Sequence, residues 1–215
     1  MYNISGDYMN NSYLIRRGCA YLIDILIITY LVYGISQIKF LNPNIESYNL
    51  VYDNYTEKYN STLNDPKVYQ DSEFQDLTYQ LAKNSVTATI ADIVVIIGYF
   101  VLLQKYTGGQ TVGKRLMSVK LVSKDDKSLK IDQLLLRASL LYYSLIPDIL
   151  NLILLTIANE KLFFYSNLVI TSLFSIVFYT SVLLVFFKKD NQGLHDMLSK
   201  TKVIDLKPVK EKSKS

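Results

Sequence analysis

The sequence predicts an all-helical (all-α) integral membrane protein with four membrane-spanning helices. Half of its 215 residues are hydrophobic, and many of them fall into four long runs that alternate with polar segments. A run of about 20 apolar residues matches a bilayer core of roughly 30 Å, whereas a soluble domain spreads its apolar residues at helix or strand spacing. We expect the spans to cover residues 18–38, 85–103, 133–157 and 162–187.

The first span opens at Arg17 and carries Asp24 inside its apolar run. Seven residues separate the two, so they share one helix face and lie about 10 Å apart along the axis. A carboxylate in hydrocarbon costs about 2.5–3.5 kcal/mol on insertion scales. Asp24 should therefore face protein or water and not lipid.

Residues 40–83 are polar and carry more acidic than basic side chains, and we predict that they form an external helical hairpin. A stripe at helical spacing runs along this segment: Tyr48, Tyr52, Tyr55, Tyr59 and Leu63. Asp65-Pro66 is typical of a helix start. The stripe either packs on a neighbouring helix, lies in the headgroup layer or binds a ligand.

The second and third spans carry Asp92, Arg137 and Asp148, whereas the fourth span has no ionisable residue. Arg137 is at a depth similar to that of Asp24, and Asp92 and Asp148 share a second depth nearer the opposite face. Pro147 should kink the third span at mid-depth or beyond, because proline removes one backbone hydrogen bond.

Residues 104–130 form a basic loop between the second and third spans. The alternation over residues 119–122 indicates a short strand, and its partner is either 128–131 or 201–204. We expect a small cytoplasmic β element here. Residues 207–215 are rich in Lys and Ser and should form a disordered basic tail.

The positive-inside rule predicts that both termini and the basic loop lie in the cytoplasm. The acidic segment and the short turn at Asn159 then lie outside, which is consistent with four spans. We expect a multi-pass protein of the cell membrane whose basic residues, among them Lys114 and Arg115, contact anionic lipid heads.

Composition excludes several classes of function. One cysteine, Cys19, and one histidine, His195, cannot build a disulfide or a His/Cys metal cluster within the chain. Residues 108–114 have the spacing of a phosphate loop, but Arg115 stands where Ser or Thr would hold magnesium. We expect no enzymatic activity, no cofactor and no metal. The basic loops lack interleaved aromatic residues, which argues against nucleic-acid binding.

Three blocks occur in a fixed order: Arg17-x-x-Ala20-x-x-Ile23-Asp24, Gly109-Gln-Thr-Val-Gly113-Lys114, and Asn191-Gln192-Gly193-Leu194-His195-Asp196. Together they resemble the RDD family of membrane proteins over nearly the whole chain except the external segment. The resemblance implies a single transmembrane domain over residues 1–206. It marks Arg17, Asp24 and Asp196 as the polar motif residues, and Gly109, Gly113 and Lys114 as the cytoplasmic loop motif.

The resemblance implies transport for some relatives, including ones similar to sodium–proton antiporters, and assembly of membrane complexes for others. Our leading hypothesis is transport of a small cation or solute, with cation–proton exchange as one form of it. The candidate ion or proton path is formed by Asp24, Asp92, Arg137 and Asp148. A transporter with four spans should be a homo-oligomer, because four helices make a thin wall around a path.

Structural roles compete with this hypothesis. Asp24 can pair with Arg17 or Arg137 to fix the helix register, and Asp196 can close the same region by binding Arg17. The alternative function is a non-transporting membrane scaffold or assembly factor that binds an external protein partner through the tyrosine-rich helices.

Overall fold

The computed structural model describes residues 11–62, 65–125 and 128–206, which are mostly helical with one two-stranded sheet. Leu63 of the predicted stripe and the predicted tail at 207–215 lie outside these residues. Three described helices are long and apolar enough to cross a membrane: Ser12–Ser36, Val86–Tyr106 and Glu160–Phe187. A fourth span results if the broken pair Ile131–Leu141 and Leu145–Ile157 counts as one.

The elements follow one another along the chain without long irregular connections. The helices are α1 (Asn11–Ser36), α2 (Ile45–Ser61), α3 (Ser72–Asn84), α4 (Val86–Ile97), α5 (Gln104–Tyr106), α6 (Val112–Leu116), α7 (Ile131–Leu141), α8 (Leu145–Ile157), α9 (Glu160–Phe187) and α10 (Leu194–Leu198). A 3-10 turn (Pro66–Gln70) precedes α3, and a π-helical turn (Gly98–Leu103) joins α4 to α5. The strands are β1 (Val119–Ser123) and β2 (Thr201–Asp205).

The helical break in the third apolar stretch lies before Pro147, because α7 ends at Leu141 and α8 begins at Leu145. The kink predicted for the third span is therefore present, as a break just before Pro147. Proline is the third residue of α8, where first-turn N–H groups have no partner within the helix. A helix that continued from α7 would press the proline ring against the carbonyl of Tyr143, so the break comes first.

Contacts divide the described elements into two compact units. The first unit comprises the described residues up to 28, residues 96–141 and the described residues from 178 onward. The second unit comprises residues 29–95 and 142–177.

The sheet belongs to the first unit. β1 and β2 are antiparallel, with Leu121 opposite Val203, so the predicted pairing of 119–122 with 201–204 is confirmed. Val119 and Leu121 are completely buried, as the two-residue period of a strand requires. The alternative partner at 128–131 is wrong, because residues 128–130 form no strand and α7 begins at residue 131.

The second unit has an aromatic core between α2, α3 and α9. Phe74 of α3 stacks on Tyr55 of α2 at a centroid distance of 5.0 Å and meets Phe164 of α9 edge-on at 5.9 Å. Lys58 of α2 forms an ion pair of 2.7 Å with Asp71 at the start of α3. These contacts favour packing as the role of this part of the tyrosine stripe.

Polar caps define where these helices begin. The side chain of Asp65 accepts a hydrogen bond of 2.9 Å from the backbone N–H of Lys67, and Pro66 is the first residue of the 3-10 turn. Asp71 accepts from the N–H of Glu73 at 2.8 Å and so caps α3. The helix start predicted at Asp65-Pro66 is confirmed.

Candidate functional site

Asp196 is completely buried in the first turn of α10, where it is held by two arginines. Its carboxylate forms ion-paired hydrogen bonds with Arg17 of α1 and Arg137 of α7. The backbone N–H of Gly193 donates to the same carboxylate at 3.0 Å. Burial alone would raise the pKa of Asp196, but the two guanidiniums reverse this effect and hold the pKa well below its usual range. The contact predicted between Asp196 and Arg17 is present.

His195 lies beside this cluster with both ring nitrogens engaged. Nδ1 is 2.6 Å from the hydroxyl of Ser181, and Nε2 is 3.2 Å from a guanidinium nitrogen of Arg17. Nε2 also lies 3.3 Å from Oδ2 of Asp196. Arginine can only donate, so in the neutral ring Nε2 accepts from Arg17 and the ring proton is on Nδ1. Burial, reinforced by the charge of Arg137, lowers the pKa of His195 well below its ordinary value. His195 is therefore neutral in this arrangement.

Asp24 is buried with three neutral donors around its carboxylate. These are the hydroxyl of Tyr99 at 2.7 Å, the hydroxyl of Thr111 at 2.5 Å and the backbone N–H of Gly113 at 2.8 Å. The expected pairing of Asp24 with Arg17 or Arg137 is not seen, because both guanidiniums bind Asp196. Asp24 is instead bound by the α6 turn through Thr111 and Gly113.

The glycine–lysine block supplies this turn. Thr111 caps α6 by accepting from the N–H of Lys114 at 3.3 Å while its hydroxyl donates to Asp24. A Cβ on Gly113 would overlap the carbonyl oxygen of Ala20 and lie 2.8 Å from Oδ1 of Asp24, so only glycine allows α6 to approach α1 this closely. The predicted loop motif is thus a carboxylate-binding turn.

Gly109, the other glycine of the motif, shapes the chain before α6. Its φ of +102° lies in a region that residues with a side chain rarely adopt. Its carbonyl accepts from the N–H of Leu121 at 2.9 Å, which fixes the loop against β1.

Lys114 is buried close to the same cluster and is only 8% exposed, so the expectation that it contacts lipid heads is wrong. With the amide of Gln104 turned so that its oxygen faces the lysine, Nζ donates to that oxygen at 3.0 Å. Burial, reinforced by the charge of Arg137 and opposed by that of Asp24, lowers the pKa of Lys114 to about 7.

Asp92 of α4 and Asp148 of α8 meet in the second unit. Their carboxyl groups interact with each other and with the hydroxyl of Ser144, and both side chains are partly buried. In the described part of the chain neither carboxylate forms an ion pair with a lysine, an arginine or the histidine. Within the same residues, no group of three or more His, Cys, Asp or Glu side chains is arranged to hold a metal ion.

The ionisable residues are visible in the sequence, but most of their hydrogen-bond partners are not. Tyr99, Ser144 and Ser181 stand in apolar runs where nothing in the sequence distinguishes them. Thr111 could have been found from its place inside the glycine–lysine block. The role of Asp24, Asp92, Arg137 and Asp148 as an ion path stays a prediction.

A family model described as the RDD family matches residues 12–200. Comparisons with curated proteins and with solved structures returned no significant match. The match contains all three sequence blocks and the residues that bind Asp24 and Asp196, whereas β2 lies beyond its end.

Proposed function

The chain belongs to the RDD family, and on that premise we propose that it is a multi-pass membrane transporter that exchanges a small cation for a proton. The groups proposed to bind the proton and the cation in turn are Asp92 and Asp148. The cluster of Arg17, Arg137 and Asp196 is the structural support of the fold.

The observation that carries the proposal is the direct approach of two carboxyl groups without a basic partner in the described residues. Two adjacent carboxylates repel each other, and either a proton or a cation between them relieves that repulsion. Such a pair in apolar helices costs free energy, and ionisable groups in spans commonly mark ion or proton pathways. Alternate occupancy by proton and cation is the step that an exchanger needs.

Asp24 and Arg137, the other two members of the candidate path, take structural roles in this proposal. Asp24 accepts hydrogen bonds from two hydroxyls and one backbone N–H. Arg137 is bound to Asp196 and donates to the hydroxyl of Thr201 at 3.1 Å. A cation binding at Asp24 would have to break three buried hydrogen bonds.

The proposed location is the cell membrane, with both termini in the cytoplasm and α2 and α3 outside. The support is the charge pattern, since basic residues prefer cytoplasmic loops and the segment containing α2 and α3 is acidic. Lys105 and Arg115 would then face anionic lipid heads. We also propose a homo-oligomer, because one chain offers too few helices to enclose a path.

The test is cation-driven proton flux in vesicles reconstituted with the purified protein. A pH-sensitive dye inside the vesicles reports proton movement when a Na⁺ or K⁺ gradient is imposed. Asp92→Asn and Asp148→Asn should each abolish most of the flux. Asp53→Asn, on the exposed face of α2, is the control and should transport like the wild type. Unchanged flux in the Asp92→Asn/Asp148→Asn double variant would exclude these residues as the groups that bind the proton and the cation.

A non-transporting scaffold is the second candidate function. It is favoured by the three hydrogen bonds that each of the Asp24 and Asp196 carboxylates accepts, and by the aromatic surface of α2. Tyr52 and Tyr59 are 48% and 40% exposed there. Wild-type vesicles without flux, together with crosslinks from α2 to one defined protein in native membranes that are lost in Tyr52→Ala, would favour the scaffold.

A further inference from the structure

Lys114 is a buried lysine that plays no part in the proposed transport mechanism. No carboxylate of the described residues forms an ion pair with its Nζ, and the one hydrogen-bond partner of Nζ among these residues is the amide of Gln104. Burial of an unpaired ammonium is costly, so its position needs an explanation.

The charges around Lys114 do not balance when it is protonated. Arg17 and Asp24 of α1, Arg137 of α7 and Asp196 of α10 act on it electrostatically. These four groups sum to zero, because two guanidiniums oppose two carboxylates. His195 of α10 also interacts with Lys114 and is neutral, because burial lowers its pKa well below the ordinary value.

Both nearby carboxylates already hold three hydrogen-bond donors each, and neither forms an ion pair with Lys114. Asp24 holds three donors from Tyr99, Thr111 and Gly113, and Asp196 holds two guanidiniums and a backbone N–H. The charges of Lys114 and of these four groups therefore sum to zero only when Lys114 carries no proton. A protonated Lys114 adds one uncompensated buried charge beside two arginines.

We propose that Lys114 is a proton-operated latch: the neutral amine lets α6 dock on Asp24, and its protonation favours release of α6 from α1. The docking contacts are the hydrogen bonds that Thr111 and Gly113 donate to Asp24. Both donors belong to the same short segment as Lys114. Release moves the ammonium into water, where it regains hydration. The latch does not depend on whether the protein transports ions.

The direction of the pH dependence follows from proton linkage. The pKa of Lys114 is about 7 when docked and rises toward its ordinary 10.5 when released, so the released state binds more protons. Docking therefore weakens as pH falls from about 10.5 to about 7 and changes little below that. With these two pKa values, the docking constant falls about tenfold from pH 9 to 8, about fivefold from 8 to 7, and about twofold from 7 to 6.

Hydrogen–deuterium exchange of the full-length protein in nanodiscs tests the latch. The readout is the protection factor, already corrected for intrinsic exchange, of the peptide that contains the Gly113 amide. The protection factor should fall about tenfold from pH 9 to 8, about fivefold from 8 to 7 and about twofold from 7 to 6. The amides of α3 in the second unit should show no such trend.

Lys114→Met removes the proton site while keeping an apolar side chain of similar length. Its protection factor should be independent of pH and at least as high as that of the wild type at pH 7. Lys114→Arg keeps a permanent charge and should show low protection at every pH. Arg115→Met, an exposed neighbour, is the matched control and should retain the wild-type trend. A flat wild-type profile, or an unchanged slope in Lys114→Met, overturns the proposal.

Discussion

Replacing Asp196 by asparagine should be among the most damaging conservative changes in the first unit. The amide has nearly the shape of the carboxylate, so no cavity forms. What disappears is the negative charge that faces two guanidiniums, whose side chains are only 11% (Arg17) and 5% (Arg137) exposed. The substitution thus leaves two buried cations facing a neutral group.

Removal of one partner from a buried ion pair costs about 3–5 kcal/mol, because the remaining charge stays desolvated without compensation. Residual acceptors offset part of this cost: Arg17 keeps the carbonyl of Asn191, and Arg137 keeps the hydroxyl of Thr201. We therefore expect a loss of about 3 kcal/mol in the free energy of unfolding. Since 1.4 kcal/mol corresponds to a factor of ten, the unfolding constant should rise more than about 100-fold.

Equilibrium unfolding in mixed detergent–SDS micelles, followed by far-UV circular dichroism, measures this change. Glu46→Gln is the control, because it removes a carboxylate from an ion pair with Lys39 whose side chains are 77% and 74% exposed. It should unfold like the wild type. In a double-mutant cycle with Arg137→Gln, the two losses should fall short of additivity by about 1 kcal/mol or more. A loss below about 1 kcal/mol for Asp196→Asn would refute the buried-pair argument.

Two further substitutions test the packing of each unit by the same unfolding assay. Gly113→Ala should cost about 1–3 kcal/mol, because its Cβ meets Ala20 and Asp24, whereas Gly18→Ala has open space and should be neutral or slightly stabilising. Phe74→Ala should cost about 3–5 kcal/mol, since Phe74 is 2% exposed in the aromatic core. Tyr52→Ala, which removes a half-exposed ring, should cost much less; equal losses for Phe74 and Tyr52 would contradict this assignment of the core.

Some features could be predicted from the sequence because charge and hydropathy are visible there. Asp196 and Arg17 were expected to meet because both belong to motif blocks and carry opposite charges. The partners of Asp24 could not be predicted in this way. A carboxylate in a span suggests a cation, yet backbone N–H and hydroxyl groups satisfy it equally well, and residue names do not show where a backbone N–H points. The break before Pro147 depends on the ring clashing with a carbonyl four residues earlier, which fixes where the helix must already have ended.

Asp24, Asp92, Asp148 and Asp196 fall into two chemical classes, and this difference bears on function. Asp24 and Asp196 each hold three hydrogen-bond donors, which are neutral groups at Asp24 and include two guanidiniums at Asp196. Asp92 and Asp148 face each other and share a serine hydroxyl. A group that must bind and release an ion during each cycle cannot hold permanent partners, because every exchange would first break them. Loss of flux in Asp92→Asn with intact folding, set against loss of folding in Asp196→Asn, would therefore separate the working carboxylates from the structural ones.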